Sequence, residues 1–345
     1  MARAAAYLNR PRARVRSFGF AIPGAPIPLA GLDLTEAERK RLGPLQQTFT
    51  HAASTDSTAL GVQAAREALS RAGVGAGDVS LVISAPSLLA AHGFEIPSVR
   101  VRAALGLTDA QCLNVSQGCV GVLRAVQLAQ QHFQVEGPRA RDVLIVTTCG
   151  ASALTERHTH GSFFWGDGAA ALVLTAQPGE GLTFAGYAEC SAEEDIDAMN
   201  VPCGDAPAHQ FGGGDPRRIQ VNFADGAAQT RYIRGERVRF GKVIEGLAQQ
   251  VGGRVDDFDA VFVPSTGANR VSTLFGDHRN LEARLATDFS FPHTGGVDVM
   301  LFLDSHVRRQ RPKDGGLFAT LSPAFTAQWG GVAWRYDRMP EGLAT

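Results

Sequence analysis

The sequence predicts an α/β fold made of two duplicated halves. Segments whose apolar residues recur at helical spacing alternate along the 345-residue chain with short apolar runs that are typical of buried strands. The same order of segments occurs twice, and partner segments lie about 170 residues apart. Because strands that alternate with helices usually join through crossover connections, we expect the sheet to be mainly parallel.

The duplication divides the chain near residue 180. Four pairs of segments carry it: 57–87 with 235–266, 113–131 with 287–310, 141–148 with 315–322, and 165–176 with 329–337. We expect an N-terminal half, 1–180, and a C-terminal half, 181–345, packed as a layered sandwich of sheets and helices. The stretch 186–232 is rich in Gly, Pro and Asp and lacks periodicity, so it is predicted to be a loop that borders a site.

Composition limits the class of protein. The chain is 44% hydrophobic and 19% charged, which is enough to form a large core, and its net charge of −1 gives no general attraction to nucleic acids or anionic membranes. No apolar run is long enough to span a bilayer, and the Arg-rich segment 1–16 lacks the apolar region of a signal peptide. We therefore expect a cytoplasmic protein without a nucleic-acid or membrane partner.

The cysteines and histidines do not form a metal or disulfide pattern. Five cysteines is an odd number, and none of them forms a CxxC pair. They are Cys112, Cys119, Cys149, Cys190 and Cys203. His158 and His160 have a ligand-like spacing but no third ligand nearby, so solvent exposure is the favoured interpretation. We expect no metal and no bound cofactor.

Cys119 has the local sequence of a nucleophile. It lies in Ser-Gln-Gly-Cys-Val-Gly, 116–121, between a predicted strand and an apolar helix. A cysteine at a helix N-terminus meets free N–H groups and the positive end of the helix dipole, which favour the thiolate. The alternative is an ordinary buried cysteine of the core.

Four segments together resemble the ketoacyl-ACP synthase III enzymes. They are QGCVG at 117–121, GDGAAALVL at 166–174, VPSTGANR at 263–270 and FPHTGG…LFLD at 291–304. The resemblance extends over nearly the whole chain and implies a thiolase-like fold, a homodimer and a nucleophile at Cys119. The GDGAAALVL segment lacks the spacing of a phosphate-binding loop, so we interpret it as a core strand.

Two positions depart from the family pattern. Ser265 stands where the family has the histidine of P-H-Q-A-N, and His293 stands where it has the asparagine of G-N-T-S. In the family, those donors stabilise the enolate formed during decarboxylation of a malonyl thioester. Ser265 is a weaker donor, whereas a single imidazole with a pKa near neutrality suits acyl transfer to a hydroxyl or an amine.

Two further segments concern the same site. Asp298 follows His293 by five residues at the start of the predicted helix 298–309, where it either orients the imidazole or caps the helix. The family's second oxyanion donor lies in G-G-G-F, and the matching segment here is Ser-Pro-Ala-Phe, 322–325. Because proline has no N–H, one donor is expected to be lost or replaced by Ser322 or Ala324.

The partner of the reaction is predicted to be an acyl carrier protein or a CoA thioester. A set of arginines forms either a solvated face or a docking surface for an acidic carrier protein. The set is Arg217, Arg218, Arg231, Arg234, Arg237 and Arg239. The tryptophan-bearing segment that holds CoA in some family relatives is not recognisable in 30–50, which favours a carrier protein. In the expected homodimer, the partner chain covers the region 77–101.

Together these observations predict an acyltransferase that transfers groups other than aminoacyl groups. Its site consists of Cys119, His293, Ser265 and Asp298, and its context is secondary-metabolite or fatty-acid-related biosynthesis. Two alternatives stay open: a decarboxylative, carbon–carbon-forming 3-oxoacyl-ACP synthase III, and a non-catalytic partner subunit of an active homologue. The sequence leaves the acyl group and the acceptor open.

Overall fold

A computed structural model describes most of the chain. The described residues are 11–24, 27–28, 35–36, 48–49, 56–88, 96–151, 164–200, 222–266, 274–275, 278–324 and 327–338. Most of the segment 30–50 and the residues His158, His160, Cys203, Arg217 and Arg218 therefore lie outside the described residues.

Thirteen strands are described. They are β1 Arg14–Ala21, β2 Ile27–Pro28, β3 Thr48–Phe49, β4 Val79–Ser84, β5 Gln111–Asn114, β6 Asp142–Gly150, β7 Asp167–Thr175, β8 Gly181–Ser191, β9 Met199–Asn200, β10 Asn222–Phe223, β11 Ala260–Phe262, β12 Leu317–Ala324 and β13 Gln328–Asp337. All nine residues of β7 are buried, so the interpretation of GDGAAALVL as a core strand is confirmed.

Five α-helices are described. They are α1 Ser57–Ala72, α2 Pro97–Ala104, α3 Gly121–Glu136, α4 Gly226–Gln250 and α5 Val297–Gln310. Local sequence explains where two of them begin, because Asp56 accepts a hydrogen bond from Thr58 N–H and Asp225 accepts one from Ala228 N–H. The first helix ends at Gly73, which has a left-handed φ of 63° that glycine adopts without steric cost.

Nine of these strands form one sheet whose order is the same in both halves. The order is β11-β12-β13-β8-β1-β7-β6-β4-β5, so β8 and β1 lie at the centre. From the centre outward, the N-terminal half contributes β1, β7, β6 and β4, and the C-terminal half contributes β8, β13, β12 and β11. In each half these are the first, the last, the second-to-last and the second of the strands that it contributes to the sheet. The order of segments deduced from the sequence matches this arrangement. The division into 1–180 and 181–345 stays a prediction.

The expectation of a mainly parallel sheet is wrong. Among the ladders of the nine-stranded sheet, only β11–β12, β4–β6 and β4–β5 are parallel, whereas the other five are antiparallel. In the C-terminal half the reason is the last strand. Only residues 325–327 separate β12 from β13, and such a short connection forms a hairpin instead of a crossover.

The helices form layers on both sides of the sheet. One apolar cluster joins α1 to β4, β6 and β7, and another joins α4 to β8, β11, β12 and β13. The closest approach is at Gly19 of β1, where a Cβ atom would overlap the carbonyl oxygen of Ala64. Helices α3 and α5 pack between the two halves of the sheet, since each contacts strands of both. The turns that precede α3 and α5 are thereby brought to the same place.

The predicted loop 186–232 is partly wrong. Residues 186–191 continue β8, which pairs with β13, and α4 begins at Gly226. The helical start was missed because its exposed face is polar and hides the apolar spacing of the buried residues Ala228 and Tyr232. Within the described part of the chain, no helix has the length and apolarity needed to cross a bilayer.

Candidate active site

Cys119 lies in a short turn between β5 and α3. The turn is a 3-10 helix, Gly118–Val120, and α3 begins directly after it. Gly118 has a left-handed φ of 54°, which lets the chain reverse before the cysteine. The Cys119 side chain is buried, with 3% of its surface exposed. Its thiol therefore lies in a dry site at the positive end of α3, as the sequence predicted for its position.

His293 is held on both sides by backbone hydrogen bonds. Its N–H donates to the carbonyl oxygen of Phe164 at 2.8 Å, and its carbonyl oxygen accepts from Gly166 N–H at 2.9 Å. The residue between these two partners, Trp165, places its ring 5.1 Å from the imidazole centroid at a tilt of 38°. These contacts fix the direction of the His293 side chain independently of its contact with Cys119.

A chain of contacts connects the four predicted site residues. His293 Nε2 lies 3.5 Å from Cys119 Sγ, and His293 Nδ1 lies 2.8 Å from Asp298 Oδ2. The same carboxylate oxygen accepts a hydrogen bond from Ser265 N–H at 3.0 Å. All four side chains are buried. The structure thus brings Cys119, His293, Asp298 and Ser265 together, while their catalytic roles stay predictions.

Asp298 is not the N-cap of α5. Gly296 occupies that position, and Asp298 is the second residue of the helix. One of its carboxylate oxygens contacts His293 and Ser265, and the other accepts from Val299 N–H at 2.9 Å. The contact with the imidazole is therefore present, together with a local hydrogen bond in the first turn of the helix.

The electrostatics of His293 differ from the sequence expectation. Burial lowers the pKa of its imidazole, but the negative charges of Asp298 and Cys119 and the hydrogen bonds to both outweigh burial and raise the pKa to about 10. The expectation of a pKa near neutrality for His293 is therefore wrong for the protein without a bound acyl group. The sequence had indicated the imidazole but could not show that two negative partners lie on opposite sides of it.

Three buried polar atoms next to these residues have no hydrogen-bond partner. They are Ser265 Oγ, Thr294 Oγ1 and Gln117 Oε1, out of five such atoms in the described part of the chain. A buried polar atom without a partner costs about 1–3 kcal/mol. Since Gln117 precedes the cysteine by two residues and Thr294 follows the histidine, these unpartnered atoms concentrate near the candidate site. The site is therefore suited to a ligand with hydrogen-bonding groups.

Cys149 and Cys190 lack the features of a nucleophile. Burial, together with the nearby charges of Cys119, Asp167 and Asp298, raises the pKa of the Cys149 thiol well above its usual range. Burial also raises the pKa of Cys190. No group of three or more potential metal ligands occurs among the residues that the structure describes.

Known proteins resemble this chain in both sequence and fold. The family model for 3-oxoacyl-[acyl-carrier-protein] synthase III matches residues 113–191, which include Cys119. A β-ketoacyl-[acyl-carrier-protein] synthase III of Mycobacterium avium is 28% identical over 267 residues, which are 73% of this chain and 72% of the relative.

Solved structures share the fold. An acyltransferase, ChlB3, has a TM-score of 0.80 with 21% identity over 95% of this chain and 98% of its own. The 3-oxoacyl-[acyl-carrier-protein] synthase III of Aquifex aeolicus has a TM-score of 0.76 with 16% identity over 94% of this chain and 100% of its own. The chain is thus similar in sequence to ketoacyl-ACP synthase III proteins and shares their thiolase-like fold.

Within this synthase III-like fold, the segment 322–325 borders the Cys119 turn. A Cβ atom on Gly118 would lie 3.4 Å from Ala324 Cβ, so the end of β12 reaches the nucleophile. Pro323 lies directly opposite Trp329 in the β12–β13 ladder, and Phe325 lies outside the described residues. Ala324 is thus the described residue of this segment that contacts the Cys119 turn.

Sequence reasoning missed two residues that shape the synthase III-like site. Trp165 directly precedes GDGAAALVL, and its large aromatic side chain beside this glycine-containing segment was the available signal. Ser87 accepts a hydrogen bond from Gly296 N–H, 209 residues away in sequence. No local pattern predicts a contact over that separation.

Proposed function

We propose that this protein is an acyltransferase that takes an acyl group from an acyl carrier protein or CoA thioester onto Cys119 and passes it to a hydroxyl or amine acceptor. The observation that carries the proposal is the contact chain from Cys119 Sγ through His293 to Asp298. A thiol, an imidazole and a carboxylate in this order form a nucleophile, a base and an orienting group.

In the loading step, the Cys119 thiolate attacks the carbonyl carbon of the donor thioester. The carbon–sulfur bond of the donor breaks, and the departing thiolate takes the proton from the His293 imidazolium. This step uses the raised pKa of His293, because a protonated imidazole beside Cys119 is both the counter-ion of the thiolate and the acid for the leaving group.

In the transfer step, the neutral His293 accepts the proton of the acceptor. The acceptor oxygen or nitrogen then attacks the acyl carbon, and the Cys119 thiolate leaves beside the newly formed imidazolium. Acylation of Cys119 removes one of the two negative charges that raise the pKa of His293, so the imidazole gives up its proton more readily in the acyl-enzyme. The resting ion pair is restored at the end of the cycle.

Ser265 has a separate role in this proposal. Its backbone N–H is bound to Asp298, whereas its buried hydroxyl has no partner. A hydroxyl in this state is free to donate to the carbonyl oxygen of the acyl group, on which negative charge develops in both steps. The role is weaker than that of the histidine in the family pattern, and it favours acyl transfer over decarboxylation.

A carbon–carbon-forming 3-oxoacyl-ACP synthase III is the second candidate. The family model and the named relatives favour it. The changed donors weigh against it, because decarboxylation needs strong stabilisation of an enolate and Ser265 replaces one imidazole. A fold neighbour named as an acyltransferase is consistent with the first candidate, although its 21% identity shows the fold alone.

The exposed face of α4 supports a carrier protein as the donor. Arg231 and Arg239 both bind Asp195. Arg234 and Arg237 are exposed on the same helix as the exposed apolar residues Ile233 and Val238. A surface that combines arginines with apolar side chains is suited to an acidic helical protein with a phosphopantetheine arm, as in secondary-metabolite or fatty-acid-related biosynthesis.

The deciding experiment measures loading and transfer separately. The purified protein is incubated with a panel of acyl-ACP and acyl-CoA thioesters, and intact-protein mass spectrometry shows which acyl group it gains. The acyl-enzyme is then mixed with either malonyl-ACP or hydroxyl and amine acceptors. Loss of the acyl group only with the heteroatom acceptors supports acyl transfer, whereas carbon dioxide release with malonyl-ACP supports the second candidate. No loading with any thioester contradicts both.

A further inference from the structure

Ser87 lies between the two turns that carry Cys119 and His293. It follows β4 by three residues and is buried. Its N–H donates to the carbonyl oxygen of Thr148 at 2.8 Å, which fixes Ser87 to the strand β6. The sequence pattern assigns no role to this residue.

The hydroxyl of Ser87 contacts the turn that follows His293. Ser87 Oγ accepts a hydrogen bond from Gly296 N–H at 2.8 Å, in a buried environment. Gly295 has a left-handed φ of 66°, and a Cβ atom at this position would overlap Ser87 Oγ. The close approach of the serine therefore requires glycine at position 295, whereas Gly296 contributes its backbone N–H.

The backbone of Ser87 faces the opposite turn. A Cβ atom on Gly118, the residue before Cys119, would lie 3.9 Å from the Ser87 carbonyl oxygen. Thr147 of β6 also fixes the segment that contains Ser87, because its hydroxyl donates to the carbonyl oxygen of Ala85 at 2.8 Å. One short segment thus lies beside the nucleophile turn with its backbone and contacts the histidine turn with its side chain.

We propose that Ser87 is a positioning residue that fixes the His293 turn relative to Cys119. Its hydroxyl oxygen holds Gly296 N–H at the start of α5, while its backbone is fixed to β6. Cys119 Sγ and His293 Nε2 lie 3.5 Å apart, within hydrogen-bond distance for sulfur, and this contact depends on the position of the 294–296 turn. The expected change in transfer rate rests on the proposed acyl transfer, whereas the expected change in the NMR signals of His293 does not.

The test is the variant Ser87→Ala, which leaves Gly296 N–H buried without an acceptor. We expect a fall of roughly tenfold or more in the single-turnover transfer rate, with the donor KM unchanged within about twofold. We also expect the ring signals of His293 in NMR spectra, and their titration midpoint, to move. The matched control is Ser98→Ala, because Ser98 is also buried but its Oγ has no hydrogen-bond partner. This control should leave rate and spectra unchanged.

Two outcomes overturn the proposal. One is a Ser87→Ala variant with a wild-type transfer rate and unmoved His293 signals. The other is a slower variant whose His293 signals match those of the wild type, which assigns the effect to general stability. If the wild type accepts no acyl group, the NMR titration still decides the positioning role, so failure of the proposed function is recognised separately.

A second variant applies if Ser87→Ala does not fold. Ser87→Cys keeps a side chain of similar size but replaces the hydroxyl oxygen with a weaker acceptor. We expect a smaller shift of the His293 signals in the same direction, and a spectrum identical to the wild type overturns the proposal. Tryptic mapping then confirms that the acyl group is on Cys119 and not on the introduced thiol.

Discussion

His293 and Asp298 form a buried pair in which Nδ1 lies 2.8 Å from Oδ2, and the same oxygen also accepts from Ser265 N–H. The carboxylate is 0% exposed, so no water competes for it. Asp298 follows His293 by five residues and lies in the first turn of α5. The pKa of the candidate base therefore depends in part on a neighbour that is close along the chain.

Replacing Asp298 by Asn should lower the pKa of His293 from about 10 toward its ordinary value, because burial then acts against less negative charge. Transfer should slow by roughly a hundredfold. NMR titration of the imidazole ring measures the first effect, and single-turnover kinetics measures the second. An unchanged midpoint would contradict the assigned cause of the shift.

The same pair makes stability depend on pH. Since the pKa of His293 is higher in the folded than in the unfolded protein, its contribution is fully present below about pH 6.5 and is lost as the pH rises through about 10. The difference in unfolding free energy between wild type and Asp298→Asn should therefore shrink between pH 6.5 and 10. Urea denaturation at several pH values measures it, and a constant difference would argue against the linkage.

Cys119→Ala should abolish acyl loading while leaving the fold intact, because it removes one buried sulfur and creates only a small cavity. Intact-protein mass spectrometry measures loading, and circular dichroism checks the fold. The matched control is Cys149→Ala, which removes a sulfur that is also fully buried and should still load. Undiminished loading of Cys119→Ala would place the nucleophile elsewhere.

His293→Ala should slow the decay of the preloaded acyl-enzyme in the presence of acceptor by roughly a hundredfold or more, in line with the usual contribution of a general base. The measurement is single-turnover decay followed by mass spectrometry. Because His278 is paired with Glu245 away from this site, His278→Ala serves as the control. A decay rate equal to wild type would remove the main support for heteroatom transfer.

The double variant Ser265→His with His293→Asn should restore the family's pair of donors and gain decarboxylase activity toward malonyl thioesters. Carbon dioxide release from malonyl-ACP measures the gain. Each single variant is the control, since neither holds both donors. If the double variant releases no more carbon dioxide than the wild type, these two positions do not explain the divergence from the family.

A homodimer is expected at the edge of the sheet. Strand β5 ends the sheet, and its Leu113 is 37% exposed near the exposed Ile96. Residues 89–95 of the predicted contact region 77–101 lie outside the described residues. Leu113→Glu should shift the protein from dimer to monomer in light scattering, whereas Val135→Glu, at an 83% exposed position, should not. A monomeric wild type at micromolar concentration would contradict the prediction.

The sequence predicted the order of elements because that order depends on local patterns. The helix predicted over 298–309 is present as Val297–Gln310. Cys119 and His293 belong to the paired segments 113–131 and 287–310, and their side chains lie 3.5 Å apart.

What the sequence did not predict depends on partners that are distant along the chain. Whether two strands pair in parallel or antiparallel depends on which strands are neighbours in the sheet. A local apolar run does not show this. Trp165 packs on a histidine 128 residues away, and Ser87 binds Gly296 across 209 residues. The pKa of His293 likewise depends on Cys119, which comes from the other half of the chain.

The repeated strand order has a consequence for the origin of the site. If one half of this chain occurred alone, its helix equivalent to α3 or α5 would be buried only when two identical copies associate. In such a symmetric pair, the same side chain would face itself across the symmetry axis. A matched pair of cysteines or of histidines lacks the division of labour that acyl transfer requires. Fusion of two copies into one polypeptide lifts that restriction, since each turn then mutates independently, and the nucleophile and its base can evolve on separate sides of a single centre.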